Sequence, residues 1–445
     1  MKKAQELLTK PIRVAVLGAG GREHALASKI AASPLCREVT VLPGNDGMAR
    51  AGRRTAAVDL KDFAAVRAKL EELSIDFVVI GPDDLLAAGI VDELESAGIA
   101  VFGPNKAAAR IEWSKTFAKE LMLAAGVPTA KYEAIDAAEM ARLPEIVESL
   151  GGYPLVFKYD GLALGKGVRI CVDLRDAEEF LKEVFQDQKF SGSAAKKNQP
   201  RVVIEQVVGG HEVSLFALTD GMSYTVLDPA CDHKRLQEGN IGPNTGGMGA
   251  YSPVPWFGRE DVNEFSEKIF PPLLAKMREA KTPFRGLLYA GLMVKGRDFW
   301  VLEFNARFGD PETQAVLPRM ESDLLPLLYG IGTGAFPRHL DANPVRWSSQ
   351  ACVNVVLASR GYPEKPETGF AVSGIATDCA SHRIYYAGVK ARENLLVTSG
   401  GRVLGVSGLG ESIEAARQSA IAVIEKMHFE GMRYRRDIGS VRSNY

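Results

Sequence analysis

Arg13-Val-Ala-Val-Leu17 runs into Gly18-Ala-Gly-Gly-Arg-Glu-His24, and residues 25–32 continue in a helical pattern. An apolar run that hands over to a helix through glycines opens a βα unit. Working outward, strand candidates at 38–42, 77–80 and 99–102 alternate with helical patterns at 61–73 and 85–97. That alternation predicts a parallel, Rossmann-like sheet. Near Ile111 the rhythm changes to a long helical stretch, which Gly126-Val-Pro128 breaks because proline lacks the amide donor and clashes inside a helix.

Beyond the break, residues 153–188 read as strand, glycine-rich loop, strand and helix, followed by a polar linker at 189–200. Two strands around Gly209-Gly210 give a hairpin signal, and 286–305 reads as a strand pair turning at Gly296-Arg-Asp298. The tail holds short strands such as 352–357 and a final helix at 412–427. The expected organisation is an N-terminal domain at 11–112, a central domain at 113–335 with a lid at 128–200, and a β-rich C-terminal domain at 336–445.

With 445 residues, 46% hydrophobic and 24% charged, the chain is that of an ordinary globular protein able to bury large cores. Fifty-four basic side chains interleave with 55 acidic ones, so neither a nucleic-acid footprint nor a membrane anchor is read. The five cysteines, Cys36, Cys171, Cys231, Cys352 and Cys379, are odd in number and form no CxxC pair, which points to a reducing compartment. The N-terminal stretch is polar and has no signal-peptide core, so a cytoplasmic location is expected.

Four regions can carry chemistry. At Gly18-Ala-Gly20-Gly21-Arg22-Glu23 backbone amides and a helix dipole can hold an anion. As a dinucleotide fingerprint it is incomplete, because Glu23 stands where a third glycine belongs and would crowd helix against sheet. A nicotinamide or flavin site, a plain turn and a small phosphorylated ligand are the three readings. In Lys158-Tyr-Asp-Gly161-Leu-Ala-Leu-Gly165-Lys166-Gly167 a strand-ending lysine precedes a loop whose amides can close over phosphates. It is not the GxxxxGK[ST] loop, and an ordinary turn is the bland alternative.

Glu205-Gln-Val207-Val208-Gly-Gly-His-Glu212 can present backbone to an adenine and Glu212 to ribose hydroxyls, although each glutamate alone reads as a solvated strand residue. Glu303-Phe-Asn305-Ala-Arg307 follows an apolar run, so alternation puts Glu303, Asn305 and Arg307 on one face. Oxygen ligands two apart suit magnesium, and a charged strand rim is the alternative. Asp232-His-Lys234-Arg and Asn244-Thr245-Gly246-Gly247-Met248-Gly249 form a glycine-rich region suited to a substrate pocket.

Read in order, these pieces resemble the ATP-grasp ligases, and among them the phosphoribosylamine–glycine ligase family, over nearly the whole length. The strings that carry the resemblance are Gly20-Gly-Arg-Glu-His24, Asp232-His-Lys-Arg235 with Gly242-Pro-Asn-Thr-Gly-Gly-Met-Gly-Ala-Tyr-Ser252, and Glu303-Phe-Asn-Ala-Arg-Phe-Gly-Asp-Pro-Glu-Thr-Gln314. The resemblance implies an ATP-grasp fold behind an N-terminal Rossmann-like domain. It also implies that glycine and 5-phosphoribosylamine are joined through glycyl phosphate, with Mg2+ or Mn2+, in a monomer or weak homo-oligomer.

By the same resemblance Lys115, Lys158, Gly161, Gly165, Lys166, Gly167, Glu205, Val207, Val208 and Glu212 would hold ATP, and Glu303 with Asn305 the metal. Gly20 to His24, Asp232, Lys234, Asn244 to Gly249, Arg307, Asp310, Pro311, Glu312 and Thr313 would enclose the substrates, with Arg307, Asp232 and Lys158 catalytic. His233 is read as an orienting group, since amine attack on an acyl phosphate needs little basic help. Asp83 and Tyr385-Tyr-Ala-Gly-Val389 depart from the family pattern. The alternative is another ATP-grasp carboxylate–amine ligase or a carboxylase subunit, which would share the nucleotide residues but not the 232–252 region.

Overall fold

The computed structural model describes residues 7–162, 167–187, 189 and 200–440. Five parallel strands, β1 (Ile12–Gly18), β2 (Cys36–Pro43), β3 (Arg54–Thr55), β4 (Phe77–Ile80) and β5 (Ala100–Phe102), form the first sheet in the order β3-β2-β1-β4-β5. Val14, Ala15 and Val16 are wholly buried, as expected of a central parallel strand covered on both faces.

Helix boundaries differ from the periodicity for local reasons. The first helix spans Gly21–Ala31 and not 25–32, because Glu23 turns back to accept a 2.6 Å hydrogen bond from the Gly20 amide and caps the turn. The helix expected over 85–97 is two, Asp83–Ala88 and Ile90–Ser96, parted at Gly89 with φ 99°. The long helical stretch is likewise two, Lys106–Trp113 and Lys115–Ala125, where Ser114 caps the second through its hydroxyl and Gly126 ends it with φ 67°.

A four-stranded antiparallel sheet follows, β6 (Tyr132–Asp136), β7 (Leu155–Tyr159), β8 (Val168–Cys171) and β9 (Arg201–Gln206), in the order β6-β9-β7-β8. It has its own apolar core, with Phe157, Phe180 and Ile204 at the centre, separate from that of the remaining chain.

The hairpin expected around Gly209-Gly210 does not form. β9 pairs with β6 and β7, whereas β10 (His211–Thr219) pairs with β11 (Tyr224–Asp232) and β15 (Gly286–Lys295), so the glycines carry the chain from one sheet to another. Gly210, at φ 148°, passes so close to Val294 that a Cβ would lie 2.4 Å from its carbonyl oxygen. The 286–305 pair does form, as β15 against β16 (Asp298–Asn305).

β12 (Arg235–Gln237) and β13 (Ile241–Asn244) make a small ribbon before β14 (Gly249–Ser252). β14 carries the largest sheet onward to β17 (Ala351–Ala358), past the short β18 (Ala371–Val372) to β19 (His382–Tyr386), and, after β20 (Val389–Arg392) and β21 (Leu395–Thr398), to β22 (Arg402–Gly410). The eight strands run β16-β15-β10-β11-β14-β17-β22-β19. One sheet thereby joins the central strands to the C-terminal strands, and β19 packs on the Gly21–Ala31 helix.

Room for Glu23 comes from missing side chains: a Cβ on Gly18 would lie 2.5 Å from its Cγ, and one on Gly81 2.1 Å from its Oε1. Gly81→Ala must therefore expel the carboxylate and uncap Gly20. It should destabilise the first sheet by about 1 to 3 kcal/mol, read as faster hydrogen exchange over β1 and the Gly21–Ala31 helix.

Candidate active site

Helix and loop ends place the nucleotide candidates. Ser114 starts the Lys115–Ala125 helix so that Lys115 is its first residue, and Asp160 fixes that turn by accepting from the Lys115 amide at 2.5 Å and the Thr116 hydroxyl at 2.7 Å. Lys115 Nζ donates to the Gly161 carbonyl at 3.1 Å. Burial lowers the Lys115 pKa, opposed by Glu303 and Asp160. Lys158, at the end of β7, donates to the Leu302 carbonyl at 3.0 Å and pairs with Glu205 at 2.9 Å. Gly167 accepts from the Tyr159 amide; Gly165 and Lys166 lie outside the described residues.

Glu205 is not a solvated strand residue. Its carboxylate is buried between Lys158 and Lys119, the latter at 3.0 Å, and is thereby taken up by two ammonium groups. Val207 is 42% exposed in the connection that follows, an apolar surface left open beside it. Glu212 pairs with Lys234 at 2.8 Å.

Glu303 is the electrostatic centre. Burial pushes its pKa up, but Lys234, Lys158, Lys115 and Arg307 overcome that and hold it below the usual glutamate value. Asn305 lies on the same strand and accepts from Arg307 at 3.2 Å. Arg307 itself has left the strand: it pairs with Glu112 at 3.0 Å, and its buried Nε meets no partner among the described residues. Asp232, at the end of β11, is driven well above the usual carboxylate range by burial, against the pull of Lys234, with Glu312, Glu212 and Glu303 adding to the rise. Glu312 accepts from the Tyr289 hydroxyl at 2.7 Å.

The substrate candidates split into two groups. The first lies about Glu303, namely Asp232, Lys234 and Arg307, with Glu312 next to Asp232. The second builds a neighbouring cavity of about 690 Å³, whose walls include Gly20, Gly21, Asn45, Asp310, Lys390 and Arg402. Arg402, on β22, donates to the Gly246 carbonyl at 2.5 Å and to the Asp310 carboxylate at 2.9 Å, while a Cβ on Gly247 would meet Pro311 at 2.4 Å. The 244–249 loop is thus pressed onto Asp310-Pro311. Thr245 accepts from the Gly247 amide, Met248 is wholly buried, and Asn244 is exposed on the ribbon. Thr313 bonds the Gly309 carbonyl within its own turn.

Glu23 and His24 face inward. Glu23 is occupied by the Gly20 amide and by Arg22 at 2.6 Å, and the crowding expected from its size is avoided because Gly18 and Gly81 carry no side chain there. His24 Nδ1 accepts from the Tyr386 amide at 3.0 Å, docking the first helix on β19. His233 accepts from the Gly439 amide at 3.0 Å and is buried, which agrees with an orienting role.

Sequence reasoning missed Glu112, Asp160, Lys119, Lys390 and Arg402. Lys119 had a signal, a charge interrupting the buried face that Thr116, Ala118 and Met122 define on its helix. The others hold their places through contacts far along the chain.

Three family models match consecutive segments: the phosphoribosylglycinamide synthetase N domain at residues 12–112, its ATP-grasp (A) domain at 113–313 and its C domain at 352–441. A phosphoribosylamine–glycine ligase of Agrobacterium fabrum is 42% identical over 96% of this chain and 98% of its own. The chain belongs to the phosphoribosylamine–glycine ligase family. A ligase of that name from Streptomyces coelicolor is also 42% identical, over 96% of this chain and 99% of its own. The crystal structure of a phosphoribosylamine–glycine ligase from Thermotoga maritima superposes with a TM-score of 0.77 at 35% identity, covering 96% of this chain and all of that one. A biotin carboxylase from Campylobacter jejuni shares the fold, with a TM-score of 0.73 at 14% identity over 97% and 93% of the two chains. Membership makes this an ATP-dependent carbon–nitrogen ligase with a multidomain ATP-grasp fold.

Burial holds His24 neutral, its pKa lowered to about 3, with Arg53 adding to the effect; burial and Arg435 likewise lower His233 to about 4. The unfolded chain binds protons at both below about pH 6.5, so stability is complete above that pH and is lost as pH falls toward 4. Each should contribute about 1.4 kcal/mol per pH unit in that window. Acid unfolding midpoints of His24→Gln, measured against pH, should show a shallower slope.

Proposed function

We propose that this chain joins glycine to 5-phosphoribosylamine, converting ATP to ADP and phosphate and yielding glycinamide ribonucleotide, a step of purine synthesis. The observation that carries the residue assignment is the gathering of Lys115, Lys158, Lys234 and Arg307 about Glu303, with Asp310 and Arg402 lining a separate cavity that also includes Gly20 and Gly21. Cations already held in place by carboxylates can exchange those partners for the oxygens of a polyphosphate.

In this reading Lys115 and Lys158 hold the nucleotide phosphates, the residues after Glu205 meet the adenine, and Glu212 takes the ribose. Glu303 and Asn305 would hold Mg2+ or Mn2+: the first is kept ionised by its neighbours and the second offers an amide oxygen on the same strand, a hard donor pair that suits such an ion. When bound, the ion neutralises phosphate charge. A glycine carboxylate oxygen attacks the terminal phosphorus, the bond to ADP breaks, and the mixed anhydride forms. The amine nitrogen then attacks the acyl carbon, phosphate departs, and the nitrogen gives up a proton. Lysines and Arg307 fixed before reaction stabilise the charge that builds on the transferring group.

The cavity at Gly20, Gly21 and Asn45 takes the phosphoribosyl part, with Lys390 and Arg402 as its cations. Asp310 joins the two compartments, since its carboxylate meets Arg402 while Arg307 and Glu312 turn to the cleft. Five free cysteines suit the cytoplasm.

ADP release should need both glycine and freshly made phosphoribosylamine, and release that continues unchanged with either omitted would refute the assignment. Glu303→Gln should keep the fold by circular dichroism yet lower kcat by about 100-fold or more at saturating magnesium.

A further inference from the structure

Lys119 is buried, with 2% of its surface exposed, on the same helix as Lys115 and one turn further from the cleft. Its Nζ pairs with Glu205 Oε2 at 3.0 Å and donates to the Thr129 hydroxyl at 2.7 Å; the other carboxylate oxygen pairs with Lys158 at 2.9 Å. Two lysines therefore share one glutamate. Were Lys158 alone with Glu205, the pair would be neutral and Lys158 would hold its ion-pair partner in place of a phosphate. With Lys119 present the buried triad carries one net positive charge, and Lys158 is its member at the cleft. Burying an unbalanced charge is costly, and an anionic ligand offsets that cost.

We propose that Lys119 is a positioning residue that keeps Lys158 electropositive by occupying half of Glu205, and so sets the affinity for the nucleotide's phosphates. The inference rests on the nucleotide reading above. Thr129 also donates to the Val301 carbonyl at 2.8 Å, so the Lys119 ammonium is tied to β16, the strand that bears Glu303.

The groups facing Lys119 are Glu205 on β9, Lys158 on β7, the Tyr132 ring on β6 at 5.3 Å, and the Thr129 hydroxyl and Ala130 carbonyl. Burial lowers its pKa to about 8, with Lys158 adding to the fall and Glu205 opposing it. Loss of this proton leaves Glu205 to Lys158 alone, so nucleotide binding should weaken as pH rises through that value. The affinity for MgADP, measured by titration calorimetry from pH 7 to 9, should fall by up to about tenfold per unit above the pKa.

Asp232, across the cleft, also titrates above the usual carboxylate range, so variants apportion the effect. Lys119→Met should weaken MgADP binding at pH 7 by about tenfold or more and flatten the alkaline limb, with KM for ATP rising more than kcat falls. Lys119→Arg, charged throughout the range, should restore affinity and move the limb beyond pH 9. A wild-type protein that binds no MgADP would sink the nucleotide reading itself. Binding that is pH-independent in the wild type, or a limb that survives unchanged in both variants, would overturn the role of Lys119 and leave that reading standing.

Discussion

Like charges brought together away from water repel, and the cleft gathers more of them than any core would tolerate. Lys115, Lys158, Lys234 and Arg307 share the neighbourhood of Glu303, while Asp232, Glu212 and Glu312 crowd one another nearby. Several of these charges have an opposite one within hydrogen-bonding distance, as Glu212 has Lys234 and Arg307 has Glu112. Such balanced clusters stabilise little by themselves, since desolvation consumes most of the Coulomb energy. In the function proposed above, what they provide is fixed polarity, set before any phosphate charge builds up.

Holding that polarity in place requires backbone from every part of the chain. Lys115 depends on Ser114 breaking a helix, Lys158 on β7 ending at the glycine loop, and Glu303 on the bulge where β16 shifts register against β15. The C-terminal strands contribute Arg402, whose guanidinium grips both the 244–249 loop and Asp310. No local stretch contains these residues, and one antiparallel sheet, continuous from β16 to β19, links Glu303 on β16 with Arg402 on β22.

This is why parts of the molecule were legible in the sequence and others were not. The parallel sheet was readable because buried strands are short apolar runs between helical periods, and Phe77–Ile80 matches to the residue. Glu303 and Asn305 were readable because alternation along a strand is local. The Gly209-Gly210 crossing was misread as a hairpin, since turn chemistry records that the chain bends and not which strand it pairs with next. Glu23 was judged too large for its position because the glycines that accommodate it, Gly18 and Gly81, are set by the fold and the second lies 58 residues away.

Buried charge is the hardest feature to read from spacing. Lys119 stands on a helix face whose other residues are apolar or small, and in isolation it looks like an error in an amphipathic pattern. Only the packing of β9 against the helix supplies Glu205, and only β7 supplies the second lysine that makes the pairing unequal. A charge that breaks a local rule while finding a partner across the fold offsets part of its desolvation cost there. On the role proposed for Lys119 the consequence is electrical: the difference between a neutral Lys158–Glu205 pair and a triad with one positive charge to spare.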